Sequence, residues 1–142
     1  MKFTRKANAV WQGSGKDGQG NLTTASKVLD KTAYSFHTRF EDGEKGTNPE
    51  ELIGAAHAGC FAMQLSFLLN ENNFTATTLD VDATVTFEDG AITKITLNLV
   101  GDVPEIDAEQ FQQIAHKAKE VCPISKLLNT EIELKITLKS AK

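Results

Sequence analysis

Apolar residues recur along this chain with two different periods, and the changes of period divide it into elements. Between residues 4 and 12, Ala7, Ala9 and Trp11 fall on one side of an alternating pattern, which predicts a first strand. The glycine-rich stretch Gly13–Asn21 predicts a turn or loop; it has no phosphate-cradling glycine spacing and no helix after it. A second strand is expected over Leu22–Leu29, with Asp30-Lys31 as its turn. Thr32–Phe40 alternates cleanly, placing Tyr34, Phe36, Thr38 and Phe40 on one face, and so predicts a third strand. The period then changes. After a polar loop over Glu41–Thr47, Asn48 can cap a helix, Pro49 suits its first position, and Glu51 completes a capping box. From Leu52 to Leu69 the sequence is almost unbrokenly apolar. Such a helix must be covered on every side.

Beyond it, Val81, Ala83, Val85 and Phe87 alternate with polar residues up to Asp89-Gly90, a hairpin signal, and Ile95, Leu97 and Leu99 continue on the return strand. Asp107 and Gln110 open another helix, whose apolar stripe is Phe111, Ile114, Ala115, Ala118 and Val121. Pro123 stops that helix at Cys122 and starts a short further one. Ile132, Leu134, Ile136 and Leu138 then alternate in a closing strand. Strands and helices segregated in this way predict an α+β fold, a single domain over residues 1–142, with antiparallel sheets around a long buried central helix.

Composition narrows the function. With 15 basic against 19 acidic residues and a net charge of −4, no basic stretch is present to hold phosphates, so nucleic acid is not expected as a partner. The first residues lack the apolar core of an export signal, which points to the cytoplasm. Leu52–Leu69 is long enough to cross a membrane, but His57 and Gln64 lie inside it and Glu50, Glu51 and Glu71 bracket it. A core helix is therefore expected, and no membrane.

The chain has 2 cysteines, Cys60 and Cys122. Cys122, at a helix start, has a route to a stabilised thiolate through the free amides there. Cys60 lies well inside an apolar helix, where burial raises a thiol's pKa, so it needs a cation nearby to react. His57, one turn earlier, and Arg39 are the candidates. Arg39, one of two arginines, offers a planar fork of donors. A surface pairing with Glu41 or Asp42 is its plainer role. Glu50 stands about 15 Å down a straight helix from Cys60. It can join such a site only by orienting Arg39, through a helix bend, or from a second subunit. Four readings remain open. Cys60 and Cys122 form a peroxide-reducing pair; His57 activates Cys60 as a hydrolytic nucleophile; His57, Cys60, His116 and Cys122 bind zinc, at spacings that match no standard site; or the helix anchors a non-catalytic module for apolar ligands.

The segment RFEDGEKGTNPEELIGAAHAGCFAMQLS from Arg39 to Ser66, together with VCPISKLL from Val121 to Leu128, resembles the OsmC/Ohr family of osmotically inducible and organic-hydroperoxide-resistance proteins. The likeness extends from about Val10 to the C-terminus. It implies that Cys60 is the peroxidatic cysteine and Cys122 the resolving one, with Arg39 holding the thiolate and Glu50 holding Arg39. Ohr-type members carry their arginine in the first hairpin; Gly13–Asn21 has none, which indicates the OsmC branch. The resemblance further implies an intertwined homodimer with active sites at the subunit interface. It implies organic hydroperoxides as substrates, with hydrogen peroxide reduced more weakly, a lipoyl-type external dithiol as reductant, and no metal or other cofactor. Phe36, Phe61, Met63 and Ile124 are the apolar neighbours expected to favour alkyl peroxides.

Overall fold

The computed structural model of the chain describes residues 1–139, which form two compact units, the first Met1–Leu52 and the second beginning at Ile53. In the first, β1 (Ala7–Gln12), β2 (Gln19–Thr24) and β3 (Thr32–Tyr34) form an antiparallel sheet in that order. The second strand is offset from the expected Leu22–Leu29. Thr24 explains the difference: its amide donates to the Leu29 carbonyl (2.9 Å) and its hydroxyl accepts from the Leu29 amide (3.1 Å), so the chain reverses where the strand was expected to continue. Lys27, at φ 68°, makes the turn.

Gly20 is the central residue of a row across this sheet, paired with Trp11 on one side and Tyr34 on the other. The two rings meet over it with centroids 5.5 Å apart. A Cβ at position 20 would stand 2.5–2.6 Å from atoms of both rings, so only glycine fits.

The expected third strand over Thr32–Phe40 is largely helix. It ends at Tyr34, and α1 spans Phe36–Phe40. Ser35 decides this: its hydroxyl accepts from the Thr38 amide (3.2 Å), while the Ser35 amide donates to the Thr38 hydroxyl (2.7 Å), a complete capping box. Phe36 and Phe40, two strand positions by alternation, are also i and i+4, and their rings meet across one helical turn, tilted at 53° with centroids 4.9 Å apart.

Helix α2, Pro49–Glu71, begins in the first unit and runs on in the second. Asn48 caps it as expected, accepting from the Glu51 amide at 2.8 Å. The Glu51 carboxylate accepts from the Thr47 hydroxyl (2.7 Å).

The second unit holds α2 from Ile53, then β4 (Thr78–Glu88), β5 (Ala91–Asp102), α3 (Ala108–Val121), α4 (Pro123–Leu127) and β6 (Glu131–Leu138). Asp89 and Gly90, at φ 49° and 81°, make the two-residue hairpin turn between β4 and β5. The Asp107 carboxylate caps α3 by accepting from the Gln110 amide (2.8 Å). This sheet, ordered β4-β5-β6, is mixed rather than antiparallel as expected, because β6 runs parallel to β5. The cause is the connection. A strand reached through two helices is a crossover, and a crossover returns the chain in the original direction.

The core of this unit joins Ile95, Leu97 and Leu99 of β5 to Phe111, Ala115 and Ala118 of α3 and to Phe61, Leu65 and Leu69 of α2. Helix α2 therefore buries one stripe, Gly54, His57, Phe61, Leu65 and Leu69, at helical spacing. Its apolar residues outside that stripe include Met63 and Phe67, which are 62% and 55% exposed. The expectation of a helix covered on every side does not hold within one chain, because the single chain supplies a core only along that stripe. Pro49–Glu71 is long and apolar enough to cross a membrane by length and composition.

Candidate active site

The first unit contributes an arginine held by a carboxylate. Arg39 lies on α1 and Glu50 in the first turn of α2. Arg39 donates from Nε to Glu50 Oε1 (3.0 Å) and from Nη2 to Glu50 Oε2 (2.7 Å), a forked pairing that a lysine could not make. The Glu50 hydrogen bond raises the Arg39 pKa, with burial acting in the opposite sense. The fork thus goes to Glu50, and the Glu41 carboxylate accepts from His37 Nδ1 instead, at 2.8 Å. Asn48 reinforces the arrangement by donating from Nδ2 to the Thr38 carbonyl (3.3 Å), tying α1 to the start of α2. Arg39 lines a cleft of about 120 Å³ with Trp11, Tyr34, Phe36 and Phe40.

The second unit brings the cysteines together. Cys60, half-buried on α2, and Cys122, fully buried between α3 and α4, are free thiols whose Sγ atoms lie 2.9 Å apart in hydrogen-bond contact. Sixty-two positions of sequence are closed by the packing of α4 against α2. Burial pushes the Cys60 thiol up, and the adjoining Cys122 adds to this, while a hydrogen bond from the Ile124 amide pulls it down. The free amides of a helix start were expected to serve Cys122. Cys122 is the N-cap of α4 but makes no side-chain cap bond, and the Ile124 amide is given to Cys60. Cys60 also borders a hollow of about 270 Å³ lined by Gly59, Met63, Gln64, Phe67 and Pro123. Of the expected apolar neighbours, Met63 lines this hollow, Phe36 lines the arginine cleft, and Phe61 is a core residue with no exposed surface.

His57 is buried, and its Nε2 is hydrogen-bonded to Ser125 Oγ at 2.8 Å. Burial lowers its pKa, so it is neutral near pH 7 and supplies no cation to Cys60. Neither ring nitrogen is bonded to Cys60, since Nε2 is on Ser125 and Nδ1 has no partner among the described residues, so the Cys–His hydrolytic reading lacks its contact. The zinc reading fails as well: His116 is exposed on α3, and no three His, Cys, Asp or Glu side chains cluster as a metal site among the described residues. Sequence reasoning missed Ser125. The available signal was its spacing: Ser125 follows Cys122 by three residues, as Cys60 follows His57.

Residues 41–137 match the family model described as OsmC-like protein. The chain is 51% identical over 144 residues to the Escherichia coli (strain K12) protein named peroxiredoxin OsmC, covering 99% of this chain and 100% of that one. It is 31% identical over 128 residues to the organic hydroperoxide resistance protein OhrB of Bacillus subtilis (strain 168), covering 84% and 89%. The crystal structure of Bacillus subtilis OhrB superposes with a TM-score of 0.71 at 30% identity, over 96% of this chain and 98% of that one.

Proposed function

This chain belongs to the OsmC-like family, and from that premise we propose that it is a cysteine-based peroxidase that reduces organic hydroperoxides, and hydrogen peroxide more weakly. The observation that carries this reading is the 2.9 Å separation of the Cys60 and Cys122 sulfurs, which lets a disulfide close with little movement.

The Cys60 thiolate attacks the distal peroxide oxygen. The O–O bond breaks, the sulfur becomes a sulfenic acid, and the alkoxide takes a proton and leaves as an alcohol. Cys122 then attacks the sulfenic sulfur, its thiol proton leaves with the hydroxyl as water, and a disulfide remains. An external dithiol of lipoyl type returns both cysteines to thiols. Because burial holds the Cys60 thiol up, ionisation calls for a cation. Arg39 is assigned that role, with Glu50 orienting it; their forked pairing supports the assignment. A homodimer is part of the reading, supported by the exposed apolar residues Met63 and Phe67 of α2, and so is a cytoplasmic location, where thiols are kept reduced.

The test is a thiol titration before and after cumene hydroperoxide. Loss of two thiols per chain with a new intramolecular disulfide is expected. Cys60→Ser should abolish peroxide consumption, and Cys122→Ser should stop at a sulfenic acid or higher oxide visible by intact mass. Full turnover by Cys60→Ser would defeat the reading, and unchanged thiols in the native chain would favour a non-catalytic binding module.

A further inference from the structure

Two side-chain pairs join α2 to α4, beside the hydrogen bond from the Ile124 amide to Cys60. One is the sulfur pair, Cys60 with Cys122, at 2.9 Å. The other, three residues back on α2 and three residues on along α4, is His57 Nε2 with Ser125 Oγ at 2.8 Å. Residues at i and i+3 share a helix face, so both links lie along one seam. Helix α4 is a single turn, Pro123–Leu127, none of whose residues is buried. Ile124 packs against the core, but Pro123, Lys126 and Leu127 are exposed, so few side chains set its angle. His57, by contrast, has no exposed surface and sits in the buried stripe of α2. Its Nδ1 has no hydrogen-bond partner among the described residues. Since an unpaired buried N–H is costlier than an under-used acceptor, the favoured tautomer carries its proton on Nε2 and donates to Ser125 Oγ. The imidazole then spends its one hydrogen bond on α4.

We propose that His57 and Ser125 are positioning residues that clamp α4 against α2 and so hold Cys122 in line to attack oxidised Cys60. The inference rests on the peroxidase reading of the cysteine pair and refines it. His57 is neither base nor nucleophile here. It sets how fast the disulfide closes, and therefore how often a second peroxide reaches the sulfenic acid before Cys122 does. In that competing step the sulfenic sulfur takes oxygen from another hydroperoxide, giving sulfinic acid and an alcohol.

The test uses Ser125→Ala, with Ser125→Thr as the conservative variant that keeps a hydroxyl. In Ser125→Ala, the first oxidation of Cys60, followed in a Cys122→Ser background, should slow less than closure does, since α4 reaches that sulfur through the Ile124 amide. Disulfide closure should slow by about tenfold, the scale of one lost hydrogen bond. The sulfinic fraction at high cumene hydroperoxide should rise accordingly by intact mass, and Ser125→Thr should restore closure. Closure at the native rate in Ser125→Ala overturns the clamp. So does an equal slowing of both steps without rescue by threonine, the pattern of a general loss of structure. A peroxide-free measurement separates this inference from the reading beneath it. At equilibrium with glutathione, Ser125→Ala should lower the effective concentration of Cys122 toward Cys60 by a similar factor. If the native chain forms no disulfide with peroxide, the peroxidase reading fails, while the glutathione equilibrium still decides whether the clamp exists.

Discussion

Arg39 and Cys60 carry opposite electrostatic needs. The arginine is kept charged by a forked carboxylate, while the thiol is pushed toward its neutral form by burial. Arg39→Lys keeps the charge and loses the planar fork. Peroxide turnover is expected to fall roughly 100-fold, the scale of removing one organised donor at a reacting group. Tm should move little, because partly exposed ion pairs contribute little stability. Steady-state kinetics beside thermal melts separates the two effects. His57 gives a prediction in pH. Its folded pKa lies below the ordinary 6.5, so below about pH 6.5 the unfolded chain binds a proton that the folded chain refuses. The stability tied to this group is fully present above pH 6.5 and declines as the pH falls through the window beneath it, with a slope of at most ~1.4 kcal/mol per pH unit. Urea unfolding at a series of pH values should show that slope, and His57→Gln should flatten it.

Among the elements, α1 is the one whose sequence misleads. Phe36, Thr38 and Phe40 satisfy a strand's alternation, and Phe36 and Phe40 equally satisfy a helix's i, i+4 spacing. Periodicity over nine residues does not choose between them, whereas the reciprocal bonds of Ser35 and Thr38 do. Ser35→Ala should therefore cost about 1 kcal/mol. Since α1 carries Arg39, activity should drop further than the change in Tm implies, which paired melts and rate measurements would register. The elements that were legible carry punctuation with one physical meaning: Asn48 and Asp107 as caps, Asp89-Gly90 as a hairpin, Pro123 as a stop. The cysteine pair and the arginine were legible through family resemblance and the scarcity of their residue types. The parallel pairing of β6 was not, because strand direction depends on where a crossover lands rather than on any residue within the strand. The Ser125 contact was hidden for a related reason, being a meeting of two helices distant in sequence.

At the scale of the molecule, α2 has more apolar surface than one chain covers, with Met63 and Phe67 exposed. In the proposed homodimer that surface lies between subunits. Phe67→Glu would place a charge where no partner waits, and the mass measured by sedimentation should fall from two chains to one. The row Trp11–Gly20–Tyr34 has a further practical consequence. Trp11 is the chain's 1 tryptophan and a wall of the cleft that holds Arg39. Indole emission shifts to the blue as water leaves its surroundings, so this protein carries its own optical probe, and molecules entering beside the arginine can be followed by fluorescence without a label.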